Sequence, residues 1–392
     1  MESTSKSPNP FLKIEQIQGK GRSFVANQPL KPGEIILKDT PLLVYSASLL
    51  NKNNNNTFCS NCFRVILKSP IQCPFCPSLF CTSSCQSIAL SSRHTPWVCQ
   101  SLTHLTNTSS FHNLVLDQQV QVLFLVSAYN LAVISPSAFR VLLTLQGDAS
   151  VVSESDVLLL HSLLASCPNM NLGEFGFSKE LTGALLGKDK VNAFGLMEPF
   201  GCGKERGVRG YGIYPMASFF NHDCLPNACR FEYVDIDVDC RSNTDIIVRM
   251  IHDVPEGREI CLSYFPVNFR YSERQQRLKG DYGFSCSCDR CVVEANWSDQ
   301  EDDAMDKEGE ESEEEEEDEA MEKDVDVVDG ENVNDEVEER DQDFPHAYFF
   351  LRYMCNRENC WGTLAPLPPS DTSPSTVMEC NVCGNLSKAD EL

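Results

Sequence analysis

Twenty cysteines in 392 residues are the first feature with chemical meaning, and most of them fall into groups. The densest group reads Cys59-x2-Cys62, Cys73-x2-Cys76, Cys81-x3-Cys85, then His94 and Cys99. Eight thiolate or imidazole donors are the count for two tetrahedral zinc ions, and a two-residue gap lets one tight turn aim both thiolates at one ion. A second group, Cys286-x-Cys288-x2-Cys291, offers three donors and calls for a fourth from elsewhere in the chain. A third, Cys355-x4-Cys360 with Cys380-x2-Cys383, is spaced like a small zinc ribbon. Such thiolate-rich, full sites are structural rather than catalytic, and each supplies on the order of 10 kcal/mol of folding free energy in small fingers. Cys167, Cys202, Cys229, Cys240 and Cys261 remain, and read as small apolar residues of core or strand. His104, His112, His161, His252 and His346 show no ligand spacing, and no cysteine has a nucleophile's local context.

These donors need elements to carry them. Phe11 to Ile14 alternates, Gly19-Lys20-Gly21-Arg22 turns, and Pro32-Gly33-Glu34 turns again before Ile35-Ile36-Leu37, so short strands are expected over 11–45. Asn53 to Asn56 is a polar loop. Leu114, Val115, Val122, Leu125, Val126 and Tyr129 fall at helical spacing, and Leu158 to Leu164 reads as another helix ended by Pro168. From Val191 to Tyr264 the pattern is again short β-rich pieces. The longest apolar run, near Val122 to Ile134, is broken by Ser127, Tyr129 and Asn130 and is too short to span a bilayer.

Charge and termini narrow the class. The net charge is −25, yet 26 acidic and 3 basic residues lie between Asp299 and Asp343 alone, leaving the rest of the chain nearly neutral. That excludes a general basic coat for gripping nucleic-acid phosphates. The acidic segment reads as a solvated, disordered linker, or as an arm that attracts basic partners. Met1 to Pro10 is polar and lacks a signal peptide's apolar core, so Lys388-Ala389-Asp390-Glu391-Leu392 has no entry signal behind it. A reducing compartment, nuclear or cytoplasmic, then favours metal ligation over disulfides. Pro366-Leu367-Pro368-Pro369 reads as a stiff loop.

Four further motifs carry a resemblance. Gly19-Lys20-Gly21-Arg22-Ser23-Phe24 resembles the opening glycine turn of a SET domain. Asn221-His222-Asp223-Cys224-Leu225-Pro226-Asn227 is similar to its NHSCxPN segment, with Asp223 in place of serine. Gly257 to Tyr264 resembles its GEExxxxY strand, and Tyr282-Gly283-Phe284-Ser285-Cys286-Ser287-Cys288 with Cys291 resembles a post-SET zinc loop. The first cysteine group resembles a MYND finger, with four rather than three residues between His94 and Cys99. A MYND finger set inside a SET domain is the arrangement of the SMYD lysine methyltransferases. The acidic linker and short C-terminal piece look like a plant ASH-related member.

The resemblance implies an α+β fold, β-rich, in these parts: the first part of the SET domain over 10–58, MYND finger 59–99, helical insertion 100–190, catalytic part 191–265, post-SET loop 266–298, linker 299–343 and C-terminal cysteine module 344–392. It implies that the chain threads through itself near Asn221 and Tyr264. It assigns Cys59, Cys62, Cys81 and Cys85 to one zinc, and Cys73, Cys76, His94 and Cys99 to another. Cys224 becomes the fourth ligand beside Cys286, Cys288 and Cys291, and Cys355, Cys360, Cys380 and Cys383 form a last site. S-adenosylmethionine (SAM) is the implied cofactor. Lys20 and Arg22 lie near its carboxylate, with Asn192, Asn221, His222 and Tyr264 around it and Phe284 beside the adenine.

Tyr264 and Tyr282 are the implied catalytic pair. Methyl transfer is an in-line displacement, so alignment supplies much of the acceleration. The acceptor amine must also be neutral. A free lysine with a pKa of about 10.4 is neutral in only about one molecule in 2,500 at pH 7, and a dry channel beside a sulfonium lowers that pKa. The expected function is protein-lysine methylation with histones among the substrates, by a monomer with a peptide partner for its finger and no membrane. The alternative is an inactive SET core acting as a peptide-binding module.

Overall fold

The computed structural model describes residues 9–48, 58–168, 171–201, 206–236, 243–296, 347–369 and 375–388. The expected acidic linker over 299–343, the loop at 53–56, Cys202, Cys240 and His346 lie outside the described residues.

The chain opens on an antiparallel hairpin of β1 (Leu12–Ile17) and β2 (Gly21–Ala26), with Leu12 opposite Ala26 and Ile17 opposite Gly21. Gly19 and Gly21 take φ of 77° and 82°, a region that side chains with a Cβ rarely enter, which is why this turn reads Gly-Lys-Gly. β3 (Ile35–Asp39) and β4 (Leu43–Ser46) follow. The cysteine-rich finger comes next, with the ribbon β5 (Ile71–Gln72) and β6 (Leu79–Phe80) and helix α1 (Ser83–Leu90). α2 (Pro96–Thr106), α3 (Ser109–His112), α4 (Leu116–Ile134), α5 (Pro136–Thr144), α6 (Glu154–Ala165) and α7 (Lys179–Asn192) form the helical insertion. Local signals start them: Thr82, Thr95 and Ser178 each accept a hydrogen bond from a first-turn backbone N–H, and Pro96 opens α2.

The chain then returns to strands β7 (Ala193–Met197), β8 (Val208–Ile213), β9 (Asn221–His222), β10 (Ala228–Phe231), β11 (Ile246–Met250) and β12 (Cys261–Leu262). Helix α8 (Tyr271–Arg277), a π-helical turn over Leu278–Tyr282 and α9 (Asp289–Glu294) follow. The C-terminal module is helix α10 (Ala347–Tyr353) with the antiparallel strands β13 (Leu364–Pro366), β14 (Val377–Cys380) and β15 (Leu386–Lys388).

Sequence-distant strands share sheets. β3 joins β11 and β10 in the order β10-β11-β3, and β4 joins β8 and β7 in the order β4-β8-β7. The sheets thus reach across the finger and the helices, which sit as an excursion between β4 and β7. β12 pairs with β9 in parallel, Cys261 beside Asn221 and Leu262 beside His222. One core lies among the strands, including Phe24, Ile36, Val248 and Ile260. A second wraps α4, whose Val122, Leu125, Val126 and Tyr129 are buried. Val115 differs from the helical-face reading. It precedes the helix as its N-cap and is 63% exposed, because the apolar spacing began one turn too early. The expected helix at Leu158 to Leu164 begins at Glu154 and ends at Ala165, before Pro168. Buried Asp189 of α7 accepts a short hydrogen bond from buried Tyr45 of β4, tying the insertion to the strand core. Among the described residues no helix is long and apolar enough to cross a membrane.

Candidate active site and metal centres

The cysteines meet in four tetrads: Cys59, Cys62, Cys81 and Cys85; Cys73, Cys76, His94 and Cys99; Cys224, Cys286, Cys288 and Cys291; Cys355, Cys360, Cys380 and Cys383. In each, the donor atoms lie within 4.8 Å of one another. A tetrahedron of 2.3 Å zinc–sulfur bonds has edges of about 3.8 Å. The Sγ–Sγ separations match that: 3.5 Å for Cys59–Cys85, 3.7 Å for Cys62–Cys81, 3.6 Å for Cys73–Cys99, 3.5 Å for Cys224–Cys291 and 3.6 Å for Cys360–Cys380. The donor sets fit zinc. The extra residue before Cys99 is absorbed where Thr95 caps α2, and His94 Nε2 stays 3.4 Å from Cys73 Sγ. Cys167, Cys229 and Cys261 are buried outside every tetrad.

Two side chains that the sequence reading did not single out support these donors. Asn61 donates to Cys85 Sγ at 3.1 Å. Arg274, fully buried on α8, donates through Nε to Cys224 Sγ at 3.2 Å and through Nη2 to Glu294 at 2.6 Å. A cation beside four thiolates offsets their excess negative charge.

The Cys224 tetrad connects directly to Tyr264. His222 lies two residues before Cys224 because β9 delivers Asn221 and His222 beside β12. Its Nδ1 accepts the backbone N–H of Tyr264 at 3.2 Å, so Nε2 carries the ring proton toward Cys224 Sγ, 3.3 Å away. Burial pushes the imidazole down to about 4, which keeps it neutral. Asp223 fits its unexpected place, since Oδ1 accepts the Leu225 N–H at 2.9 Å and closes the turn. The Tyr264 hydroxyl donates to the Phe220 carbonyl at 3.0 Å, and burial pushes this phenol far above its ordinary value. Tyr282, at the end of the π-helical turn, sets its ring 4.8 Å from that of Tyr264, and Phe284 follows 6.4 Å from Tyr282 with 39% of its surface exposed.

The remaining predicted cofactor residues divide. Lys20 and Asn221 converge on Glu259, which lies within the Gly257–Tyr264 motif. Its carboxylate accepts from Lys20 Nζ at 2.7 Å, Ser23 Oγ at 2.8 Å and Asn221 Nδ2 at 2.9 Å. Burial alone would raise this carboxyl, but the bonds from Lys20, Asn221 and Ser23 outweigh it and hold the group below its ordinary value. Arg22 donates to the Thr144 carbonyl at 2.6 Å, with its guanidinium 4.9 Å over the Phe219 ring. Asn192 ends α7 and donates to the Gln146 and Lys188 carbonyls at 2.8 and 2.7 Å. In this structure Lys20 is engaged by Glu259, Arg22 by the Thr144 carbonyl and Asn192 by backbone carbonyls of its own helix and the preceding loop.

A cavity of about 470 Å³ opens beside this cluster and is lined by Asn192, Phe194, Tyr264 and Tyr282. Lys20, Asn221, His222 and Phe284 do not line it. The arrangement can hold an extended side chain against aromatic rings, with Asn192 and Tyr264 in its lining and Lys20, Asn221 and His222 outside it.

The sequence model of the SET domain matches residues 21–265, well over half of the chain. This chain is a SET-domain protein. The SET-domain protein is 51% identical to histone-lysine N-methyltransferase ASHR2 of Arabidopsis thaliana, over 98% of this chain and 97% of that one. It is 25% identical to Arabidopsis histone-lysine N-methyltransferase ASHR1, over 71% of this chain and 55% of that one. It is 24% identical to human histone-lysine N-methyltransferase SMYD3, over 77% of this chain and 67% of that one.

Proposed function

We propose that the chain is a SAM-dependent protein-lysine N-methyltransferase in which Tyr264 and Tyr282 align the acceptor amine. The observation that carries this reading is the run of contacts from Cys224 through neutral His222 to the backbone of Tyr264, at the mouth of a ring-lined cavity. SAM, when bound, supplies the methyl group as an electrophilic carbon on a sulfonium. Lys20, Arg22, Asn192, Asn221, His222 and Phe284 hold it. Tyr264, its hydroxyl fixed on the Phe220 carbonyl, restricts where the acceptor nitrogen can approach. The rings of Phe194, Tyr264 and Tyr282, with the guanidinium charges of Arg230 and Arg277 in the same lining, favour the neutral amine over the ammonium.

Residues 59–99 act as a MYND finger offered to a peptide partner, and the four zinc sites are structural. The substrate is a lysine-bearing protein, with histones, the class for which the relatives are named, the first to test. Titration with SAM, combined with a labelled-methyl assay on histones and cell extract, tests the reading. Tyr264→Phe is expected to bind SAM while turnover falls on the order of 10²-fold, the scale of a small misplacement. Folded, zinc-loaded protein that binds no SAM refutes the activity.

A further inference from the structure

The cavity beside Tyr264 is not closed by the SET core alone. Trp361, Asn381 and Val382 of the C-terminal module line its other side. Trp361 directly follows Cys360, and Val382 lies between Cys380 and Cys383, so the loops that carry one metal tetrad also carry this wall. The module is firmly seated on β10 and β11. Arg249 of β11, almost fully buried, reaches Glu379 at 2.9 Å, and the Tyr233 hydroxyl donates to the same carboxylate at 2.9 Å. Asn381 Nδ2 donates to the Arg230 carbonyl at 3.1 Å. Phe231 and Val267 share a core with Tyr353 and Met378. A buried ion pair with a second donor fixes position strongly, because losing one partner strands the other charge.

The lining has two selective properties. Trp361 is 53% exposed and lines the cavity, presenting an apolar surface to it. The charged side chains of the lining are Arg230 and Arg277, and among the described residues no carboxylate lines it. Arg230 is matched by Glu232 at 2.6 Å. Arg277 is half exposed, and its nearest carboxylate, Asp281, is 3.4 Å away and open to solvent. The wall therefore complements apolar and acidic neighbours of an inserted lysine, and repels basic ones.

We propose that the C-terminal cysteine module is the specificity wall of the acceptor site, with Trp361 taking an apolar side chain next to the acceptor lysine, and that Arg277 of α8, in the same lining, rejects a basic one. This rests on the lysine-methyltransferase reading and narrows its substrates to lysines flanked by apolar and neutral or acidic residues.

The test uses the full-length, zinc-loaded protein and an array of peptides with one central lysine. Flanking positions are varied among Leu, Phe, Ala, Glu and Arg, and labelled-methyl incorporation is read. Apolar-flanked peptides are expected to exceed arginine-flanked ones in kcat/KM. Trp361→Ala should remove that apolar preference through KM by roughly 10- to 100-fold, Trp361→Phe should restore most of it, and Arg277→Gln should admit arginine flanks. SAM affinity and zinc content are measured for every variant. Equal preferences in wild type and Trp361→Ala overturn the inference, as does a wild-type preference for basic flanks. SAM-binding protein that methylates no array peptide also overturns it, whereas loss of SAM binding by the wild type fails the parent reading as well.

Discussion

Asp189 should make the protein less stable in mild alkali than in mild acid. Its carboxyl is buried between α7 and β4 and accepts from Tyr45, with Tyr211 stacked 5.5 Å behind that ring. Burial pushes it up to about 7. Below the unfolded-state value the group is protonated in both states, and its full contribution is present. As pH rises, the unfolded chain releases the proton first, so stability falls until the folded group also ionises near pH 7. A shift of this size corresponds to roughly 4 kcal/mol between the pH extremes, of which more than half falls between pH 5 and pH 8. Asp189→Asn keeps the shape and an acceptor oxygen for Tyr45 but has nothing to ionise. Thermal melts of both zinc-loaded proteins from pH 5 to pH 8 isolate the effect, because thiolate titrations common to both cancel in the difference. The variant should gain several degrees on the wild type as pH rises. A difference in Tm that stays constant across that range refutes the reasoning.

Three further outcomes are expected. Glu259→Gln should weaken SAM binding by about 10- to 100-fold, since three donors lose their shared anion and hydrogen bonds to charged groups are worth about 1.5–3 kcal/mol; calorimetry giving an unchanged Kd would exclude that role. Arg274→Gln should lower zinc affinity at the Cys224 tetrad by about 10- to 100-fold, read as loss of one zinc ion per chain under a competing chelator, with the other three retained. Strong chelation should unfold residues 59–99, because the finger's buried core is made largely of its own ligands; retained amide protection there in metal-free protein would contradict it.

The cysteine groups were legible in the sequence because closely spaced pairs are local signals, whereas their partition into tetrads, with Cys224 as a remote ligand, followed from the family resemblance, as did the fold from its ordered motifs. Other features were not local. Arg274 and Glu259 sit among ordinary surface-like sequence and acquire meaning only when residues 50 and 239 positions away arrive beside them. Helix α7 falls within the helical insertion that the resemblance implied, but no apolar spacing marked it on its own, since Gly183 and Gly187 lower helix propensity; a Cβ at Gly187 would lie 1.9 Å from the Asp148 carbonyl, so close packing demands the glycine. Trp361, between Cys360 and Gly362, carries no signal of its own in the sequence. Its place opposite Tyr264 depends on the docking of the whole module.

The path from the Cys224 tetrad through His222 to Tyr264 changes where the working unit ends. The matched segment stops at residue 265 and contains every group of that path except the three sulfurs that complete the tetrad. During synthesis those sulfurs emerge only at Cys286 to Cys291, and the far wall of the cavity emerges later still. A ribosome that has finished the SET segment has therefore made Tyr264 without the framework that aims it. Truncation at residue 265 should yield a recognisable domain and a silent one.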